Sequence, residues 1–296
     1  MKNKKRVLAF DIGGTKIASG IIEFEKNSYK IFDYQKNATP KSRKAVIQKL
    51  MELVVYYKKD NSFSRIGMGI AGQIDYKKDI INYIPNIKGF KNVNLKKIIK
   101  ETIGENVEVD NDVKCFALAE NVFGKVKKYH NIVYLTIGTG IGGAIEVKDK
   151  LYRGEYNIAG EFGHMVIVEN GKKCACGNKG CWEQYVSGRA IEELYFELYK
   201  QKKKSKDIAI DSAKGAKKDV KIIKETSFYL VTGLVNIINI INPEAIVIGG
   251  SVVKQDEILK LAKKEALKKV LIPGRKTKIL KSKLGNEASL VGAGLL

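Results

Sequence analysis

The sequence predicts an α/β fold in two domains, one of which carries a metal-binding loop. Three observations predict it. Short apolar runs rich in Val and Ile alternate with stretches of helical spacing. An apolar strand, a glycine turn with a threonine and a second strand occur at residues 6–24 and again at 131–147, which reads as an internal duplication. One short stretch holds His164, Cys174, Cys176 and Cys181, so it takes three of the four cysteines and one of the two histidines. At 296 residues the chain has room for two cores.

Residues 6–11 (RVLAFD) read as a buried strand that stops at Gly13-Gly14. Residues 16–24 and 29–37 continue as a second and third strand, and strands joined by a glycine turn make a hairpin. Asp11-Ile-Gly-Gly-Thr-Lys16 is not a Walker loop, because the G-x-x-x-x-G-K-[ST] spacing is absent and a strand follows. Glycines let backbone N–H groups converge on phosphate oxygens, and Thr15 adds a hydroxyl donor. On its own the pair is equally a plain turn.

Residues 42–59 place Val46, Ile47, Leu50, Leu53 and Val54 at helical spacing. A strand at 66–71 ends at Gly72, and both 69–75 and 85–90, the latter with Asn86, read as surface loops. A helix at 95–102 and a strand at 107–110 lead into Asn111-Asp112, and a helix follows over 113–123. A carboxylate at a strand-to-helix junction is commonly an N-cap. Spacing alone leaves Asp112 as a cap or a functional group.

Residues 131–137 (NIVYLTI) form a strand, Gly138 to Gly143 a turn and 144–147 another strand. A dinucleotide fingerprint needs a helix after its glycines, so this is not one. Helices are expected at 190–200, 206–214 and 219–241, the last ended by Asn242-Pro243. The strand 245–248 (AIVI) precedes Gly249-Gly250-Ser251, by itself a simple strand-to-helix turn. A helix at 257–270 and a strand at 278–281 follow.

The ligand spacing in the metal loop is His, nine residues, Cys, one residue, Cys, four residues, Cys. Three thiolates and an imidazole make a closed tetrahedral Zn2+ shell without an open position for water. Gly177 and Gly180 supply the turns of a tight knuckle. The bland alternative is a set of buried or paired cysteines. A closed shell points to a structural clip, and the clip brackets two carboxylates, Glu161 and Glu183.

The net charge is +22, from 54 Lys+Arg against 32 Asp+Glu. The densest run, 200–224, alternates lysines with acidic and apolar residues. That pattern reads as a solvated surface, and no specific nucleic-acid partner is expected. No apolar run has the length of a membrane span. The start, MKNKKRVLAF, lacks a signal-peptide core. Cysteines gathered in a metal cluster fit a reducing cytoplasm.

Glu161-x-x-His164 followed by Cys-x-Cys-Gly-x-x-Gly-Cys-x-Glu183 resembles the signature of the ROK family (repressors, open reading frames and sugar kinases). The resemblance extends from Asp11 to residues 288–296 (ASLVGAGLL), which resemble the family's closing helix. It departs at Ala71, where the family has Pro in a Gly-x-Pro-Gly-x-Val-Asp turn; Gly72 is retained. The resemblance implies a two-domain actin-like (ribonuclease H-like) ATPase fold with a zinc-binding loop. Residues 1–114 plus 283–296 would form the smaller domain, and 115–282 the larger, with the zinc site and dimer contacts. It further implies ATP-dependent phosphorylation of a hexose, glucose at the 6-hydroxyl first, with N-acetylmannosamine, fructose or allose as alternatives.

Under that resemblance Asp112 is the catalytic base, and Asn111, Gly72, Asn86, Glu161, His164 and Glu183 bind the sugar. His164 also ligates Zn2+ with Cys174, Cys176 and Cys181. Asp11 helps organise Mg2+, Gly13, Gly14, Thr15, Lys16, Gly138 and Thr139 meet phosphate, and Gly249 and Gly250 admit the adenosine. A homodimer or homotetramer is implied, in the cytoplasm and without a membrane partner. The alternative from another class is a sugar-responsive transcriptional regulator. Such regulators carry a winged helix-turn-helix ahead of the first glycine turn, where ten residues precede Asp11 here.

Overall fold

The structure, a computed structural model, describes residues 5–85, 87–253 and 256–296. Asn86 lies outside the described residues. The chain divides into two compact units. The first comprises Met1–Lys127, Arg153–Ile158 and Glu287–Leu296, and the second Lys128–Tyr152 and Ala159–Asn286.

In the first unit the strands are β1 (Lys5–Ile12), β2 (Lys16–Phe24), β3 (Tyr29–Ala38), β4 (Ile66–Ile70), β5 (Gln73–Asp75), β6 (Ile80–Tyr83), β7 (Lys91–Val93) and β8 (Val107–Asn111). Its helices are α1 (Arg43–Asp60), α2 (Leu95–Ile103) and α3 (Asp112–Phe123). The main sheet has the order β3-β2-β1-β4-β8. The hairpin pairs are antiparallel, whereas β1, β4 and β8 run parallel. Strand β1 is buried on both faces. Leu8, Phe10 and Ile12 join one core cluster with Leu50 and Val54 of α1, and Ala9 joins another with Cys115 and Leu290.

In the second unit the strands are β9 (Asn131–Ile137), β10 (Ile141–Val147), β11 (Lys150–Tyr152), β12 (Ala245–Gly249) and β13 (Lys278–Lys281). The helices are α4 (Glu183–Val186), α5 (Gly188–Tyr199), α6 (Ser205–Ala213), α7 (Lys217–Ile241) and α8 (Asp256–Lys269). A last helix, α9 (Ala288–Ala293), belongs to the first unit. The sheet order is β11-β10-β9-β12-β13, again three antiparallel strands followed by two added in parallel. The two sheets therefore repeat one topology.

Helix α9 is held by close backbone approach. A Cβ on Gly67 would sit 1.8 Å from the Ala293 carbonyl oxygen, and one on Gly292 would sit 1.7 Å from that of Cys115. Only glycine fits at either position, so α9 lies directly on β4 and α3.

Three features differ from the sequence expectation. Residues 73–93 contain the sheet β5-β6-β7 rather than only surface loops. Its strands are three or four residues long, too short to show a period, but Ile74, Ile81 and Val93 anchor one face in the core. Strand β10 begins at Ile141, so Gly142 and Gly143 are strand residues and not part of the turn. A Cβ on Gly143 would meet the Gly160 carbonyl oxygen at 2.5 Å, so its glycine serves a close packing contact. The run 200–224 is less solvated than expected at Lys203, whose ammonium pairs with Asp211 and with the buried Asp219 at 2.8 and 2.6 Å.

Candidate active site

The first unit gathers its polar residues at the C-terminal ends of parallel strands, where α/β sheets bind ligands. Asp11, Gly69 and Asp110 are register partners across β1, β4 and β8. The next residues along each strand lead to Gly13-Gly14, to Gly72 and to Asn111-Asp112. The Gly13 N–H donates to the Lys16 carbonyl (2.9 Å), which closes the hairpin turn, and Thr39 Oγ1 donates to the Gly13 carbonyl (2.7 Å). Burial raises the Asp11 carboxyl to about 6, with the Lys16 ammonium pulling the other way.

Asn111, not Asp112, caps α3. Its Oδ1 accepts from the N–H groups of Val113 (2.9 Å) and Lys114 (3.3 Å), and its Nδ2 donates to the Gly72 carbonyl (3.2 Å). A carboxamide has two donor hydrogens, so among the described residues one N–H of Asn111 is left over. Asp112 is the first helical residue and is half-buried; its Oδ1 also accepts from the Val113 N–H at 2.9 Å. The structure thus brings Gly72, Asn111 and Asp112 together.

In the second unit, glycines seat the Glu161–His164 turn on β10. Gly160 has φ +96° and a Cβ there would meet the Gly143 carbonyl at 2.5 Å; one on Gly163 would meet the Ile141 carbonyl at 2.3 Å. Glu161 is exposed and His164 ends a 3-10 turn, Phe162–His164. The knuckle that follows is built on Gly177 (φ +98°) and Gly180 (φ +79°). The Cys174 N–H donates to the Asn178 carbonyl at 2.8 Å. Trp182, fully buried, anchors it: the indole N–H donates to the Tyr229 carbonyl (2.8 Å), and Gly233 of α7 makes room for the ring.

The donor atoms of His164, Cys174, Cys176 and Cys181 lie within 4.8 Å of one another. Cys176 Sγ is 3.6 Å from Cys181 Sγ, and Cys174 Sγ is 3.7 Å from His164 Nδ1. A tetrahedral ion with bonds of about 2.3 Å to sulfur and about 2.0 Å to nitrogen separates its donors by roughly 3.5–3.8 Å. The cluster fits such an ion. Burial and the neighbouring thiols push Cys181 up to about 12, so a bound cation is what would hold it as thiolate.

Glu183 links this cluster to the glycine turn after β9. Its Oε1 lies 3.4 Å from Cys174 Sγ, and its Oε2 accepts from the Ile141 N–H at 3.4 Å. A Cβ on Gly140 would come within 2.8 Å of that Oε2. Gly138 is fixed from both sides: its N–H donates to the Gly140 carbonyl (2.9 Å) and its carbonyl accepts from Gly188 (2.7 Å). Thr139 is exposed. Gly249 and Gly250 line a cavity of about 160 Å3 with Ile248, Val253, Lys281 and Ser282. Gly250 has φ +98° and its missing Cβ would strike the Ile137 backbone at 2.3 Å, so its glycine is required within the unit itself.

Sequence reasoning missed the buried Asp110, its partner Arg153 and the pair Lys114 and Asn157. Their contacts span about forty residues and leave no local pattern.

Residues 7–296 match the ROK family. The ROK family glucokinase from Streptomyces griseus, solved in complex with glucose and AMPPNP, superposes with a TM-score of 0.86 at 30% identity, over 98% of each chain. An N-acetyl-D-glucosamine kinase from Vibrio cholerae serotype O1 is 32% identical over 97% of this chain and 98% of its own length. A xylose repressor from Bacillus spizizenii is 32% identical over 95% of this chain and 71% of its own. The fold is accordingly the actin-like ATPase fold of ROK sugar kinases.

Proposed function

Because this chain belongs to the ROK family, we propose that it is an ATP-dependent sugar kinase that phosphorylates a hexose, glucose first, at the 6-hydroxyl. The observation that carries this reading is the likeness, over 98% of the chain, to a glucokinase captured with glucose and an ATP analogue. Asp112 is the base: its carboxylate accepts the hydroxyl proton as the sugar oxygen attacks the γ-phosphorus and the bond to the β–γ bridging oxygen breaks. Asn111 offers its remaining N–H to a sugar hydroxyl, and Gly72 shapes the turn beside it. Glu161, His164 and Glu183 hold further hydroxyls.

The Gly13–Gly14 turn, Thr15 and Lys16 in the first unit, and Gly138 and Thr139 in the second, would meet phosphate oxygens. Gly249 and Gly250 would border the adenosine. Asp11 would hold Mg2+, which supplies charge neutralisation on the phosphates; one carboxylate plus phosphate oxygens suits that ion. His164, Cys174, Cys176 and Cys181 would hold a structural Zn2+ that fixes the loop bearing Glu161 and Glu183. Exposed Phe228, Ile240, Leu271 and Ile272 support assembly as a homodimer or homotetramer.

A second reading, a sugar-responsive regulator, is favoured by the identity to a xylose repressor. Coupled ADP release separates the two. A kinase consumes Mg-ATP in proportion to added sugar; a regulator binds sugar and consumes none.

A further inference from the structure

The Asn111-Asp112 junction is clamped from both flanks by a short segment distant in sequence, Arg153–Ile158, which packs within the first unit. Asp110, only 1% exposed, precedes the pair. Its Oδ1 accepts from the Asn111 N–H (2.8 Å) and from Arg153 Nη1 (3.0 Å), and its Oδ2 accepts from Arg153 Nη2 (2.6 Å). Lys114, 3% exposed, follows the pair and donates from Nζ to the Asn157 carbonyl at 2.7 Å. Asn157 joins the two flanks. Its Oδ1 accepts from Arg153 (3.1 Å) and from Lys114, and its Nδ2 donates to the Ile74 carbonyl (2.9 Å). Tyr76 covers the guanidinium at 4.0 Å. A buried carboxylate held bidentately by arginine sits in one geometry, and its N–H contact transmits that geometry to Asn111.

We propose that Arg153 is a positioning residue for the phosphoryl-transfer reaction: through Asp110 and Asn157 it fixes the backbone and the local field at Asn111-Asp112. This rests on the reading of Asp112 as the base. Charge matters as well as geometry. The Cys115 thiol feels Asp110, Asp112, Asp11 and Arg153, so these groups share one neighbourhood. Lys114 stands one residue from Cys115 on α3, and Lys16 acts on Asp11. Strand β4 and helix α9 bring no ionisable side chain. Arg153 cancels the charge of Asp110, so Asp112 is shielded from a second carboxylate two residues away.

The test uses the full-length protein and three variants: Arg153→Gln, Asp110→Asn and the double variant. Amide hydrogen exchange needs no substrate. Each single variant should speed exchange at 111–114 by about tenfold or more relative to the rest of α3; unchanged exchange there overturns the clamp. The acid limb of kcat, at saturating Mg-ATP and sugar, reads the field. Arg153→Gln should move it to higher pH, Asp110→Asn to lower pH, and the double variant back toward the parent, while kcat of Arg153→Gln falls on the order of 10- to 100-fold. If Arg153→Gln does not fold, Asp110→Asn and the double variant carry the same comparison. A lowered kcat with an unmoved limb in both single variants means a merely structural ion pair and overturns the proposal. A parent protein silent on every sugar removes the kinase reading instead, and the exchange result then decides the clamp alone.

Discussion

At the scale of single residues, the proposed reaction gives two carboxylates, Asp112 and Asp11, separable tasks. Asn111 provides the cap of α3, while Asp112 accepts from the Val113 N–H (2.9 Å), a contact that an asparagine oxygen can keep, and sits at the favourable end of the helix dipole, worth about 0.3–1 kcal/mol. Asp112→Asn should therefore change stability by less than about 1 kcal/mol and retain sugar binding by calorimetry, while turnover falls roughly 10²- to 10⁴-fold. Retained turnover removes Asp112 from its role. Asp11 is a carboxyl raised by burial from 3.8 to about 6. A folded value above the unfolded one means that the folded state gains from protonation, a gain lost as pH rises through about 6. Asp11→Asn should thus raise Tm at pH 7 in nucleotide-free protein, have little effect on Tm near pH 4, and abolish the extra stabilisation by Mg-ATP. A variant with the same pH profile as the parent contradicts the burial argument. Asp112 stood out in the sequence because Asn-Asp matched a family pattern; Asp110 and Arg153 did not, because a long-range buried ion pair has no spacing to recognise.

At the scale of elements, the knuckle and the Glu161–His164 turn are one assembly. Trp182, the chain's single tryptophan, is buried directly beside Cys181. Chelation should therefore change its fluorescence and lower Tm together; a spectrum and Tm insensitive to a strong chelator, with no zinc by metal analysis, contradict the clip. Gly160→Ala would force a left-handed backbone and a contact of 2.5 Å with Gly143. Overpacking of this kind typically destabilises by about 1–3 kcal/mol, to be measured by denaturant unfolding. The gathering of His164, Cys174, Cys176 and Cys181 was legible in the sequence because soft donors at close spacing have few other uses. So were the long strands and helices, whose periods are strong. The sheet β5-β6-β7 was not, since strands of three or four residues carry no period and owe their pairing to the core beneath Ile74 and Ile81. The glycines of β10 read as a turn because a sequence does not show which backbone lies against them.

At the scale of the whole molecule, one sheet topology occurs twice, and the sequence displayed this as a repeated strand, glycine turn and strand. Fold does not fix substrate. Relatives at about the same identity include a glucokinase, an N-acetyl-D-glucosamine kinase and a xylose repressor. The first two substrates differ at the sugar 2-position, so that position is where discrimination has to be read. Net charge of +22 favours approach of anionic nucleotide, and the effect should weaken with added salt, visible as a KM for ATP that rises between low and physiological ionic strength. The most direct measurement is ADP release from Mg-ATP against glucose, mannose, fructose, allose, N-acetylglucosamine and N-acetylmannosamine. The expected result is strong release with glucose, lost in Asp112→Asn. Release unchanged by every sugar, in folded protein with zinc bound, would contradict the assignment as a hexose kinase.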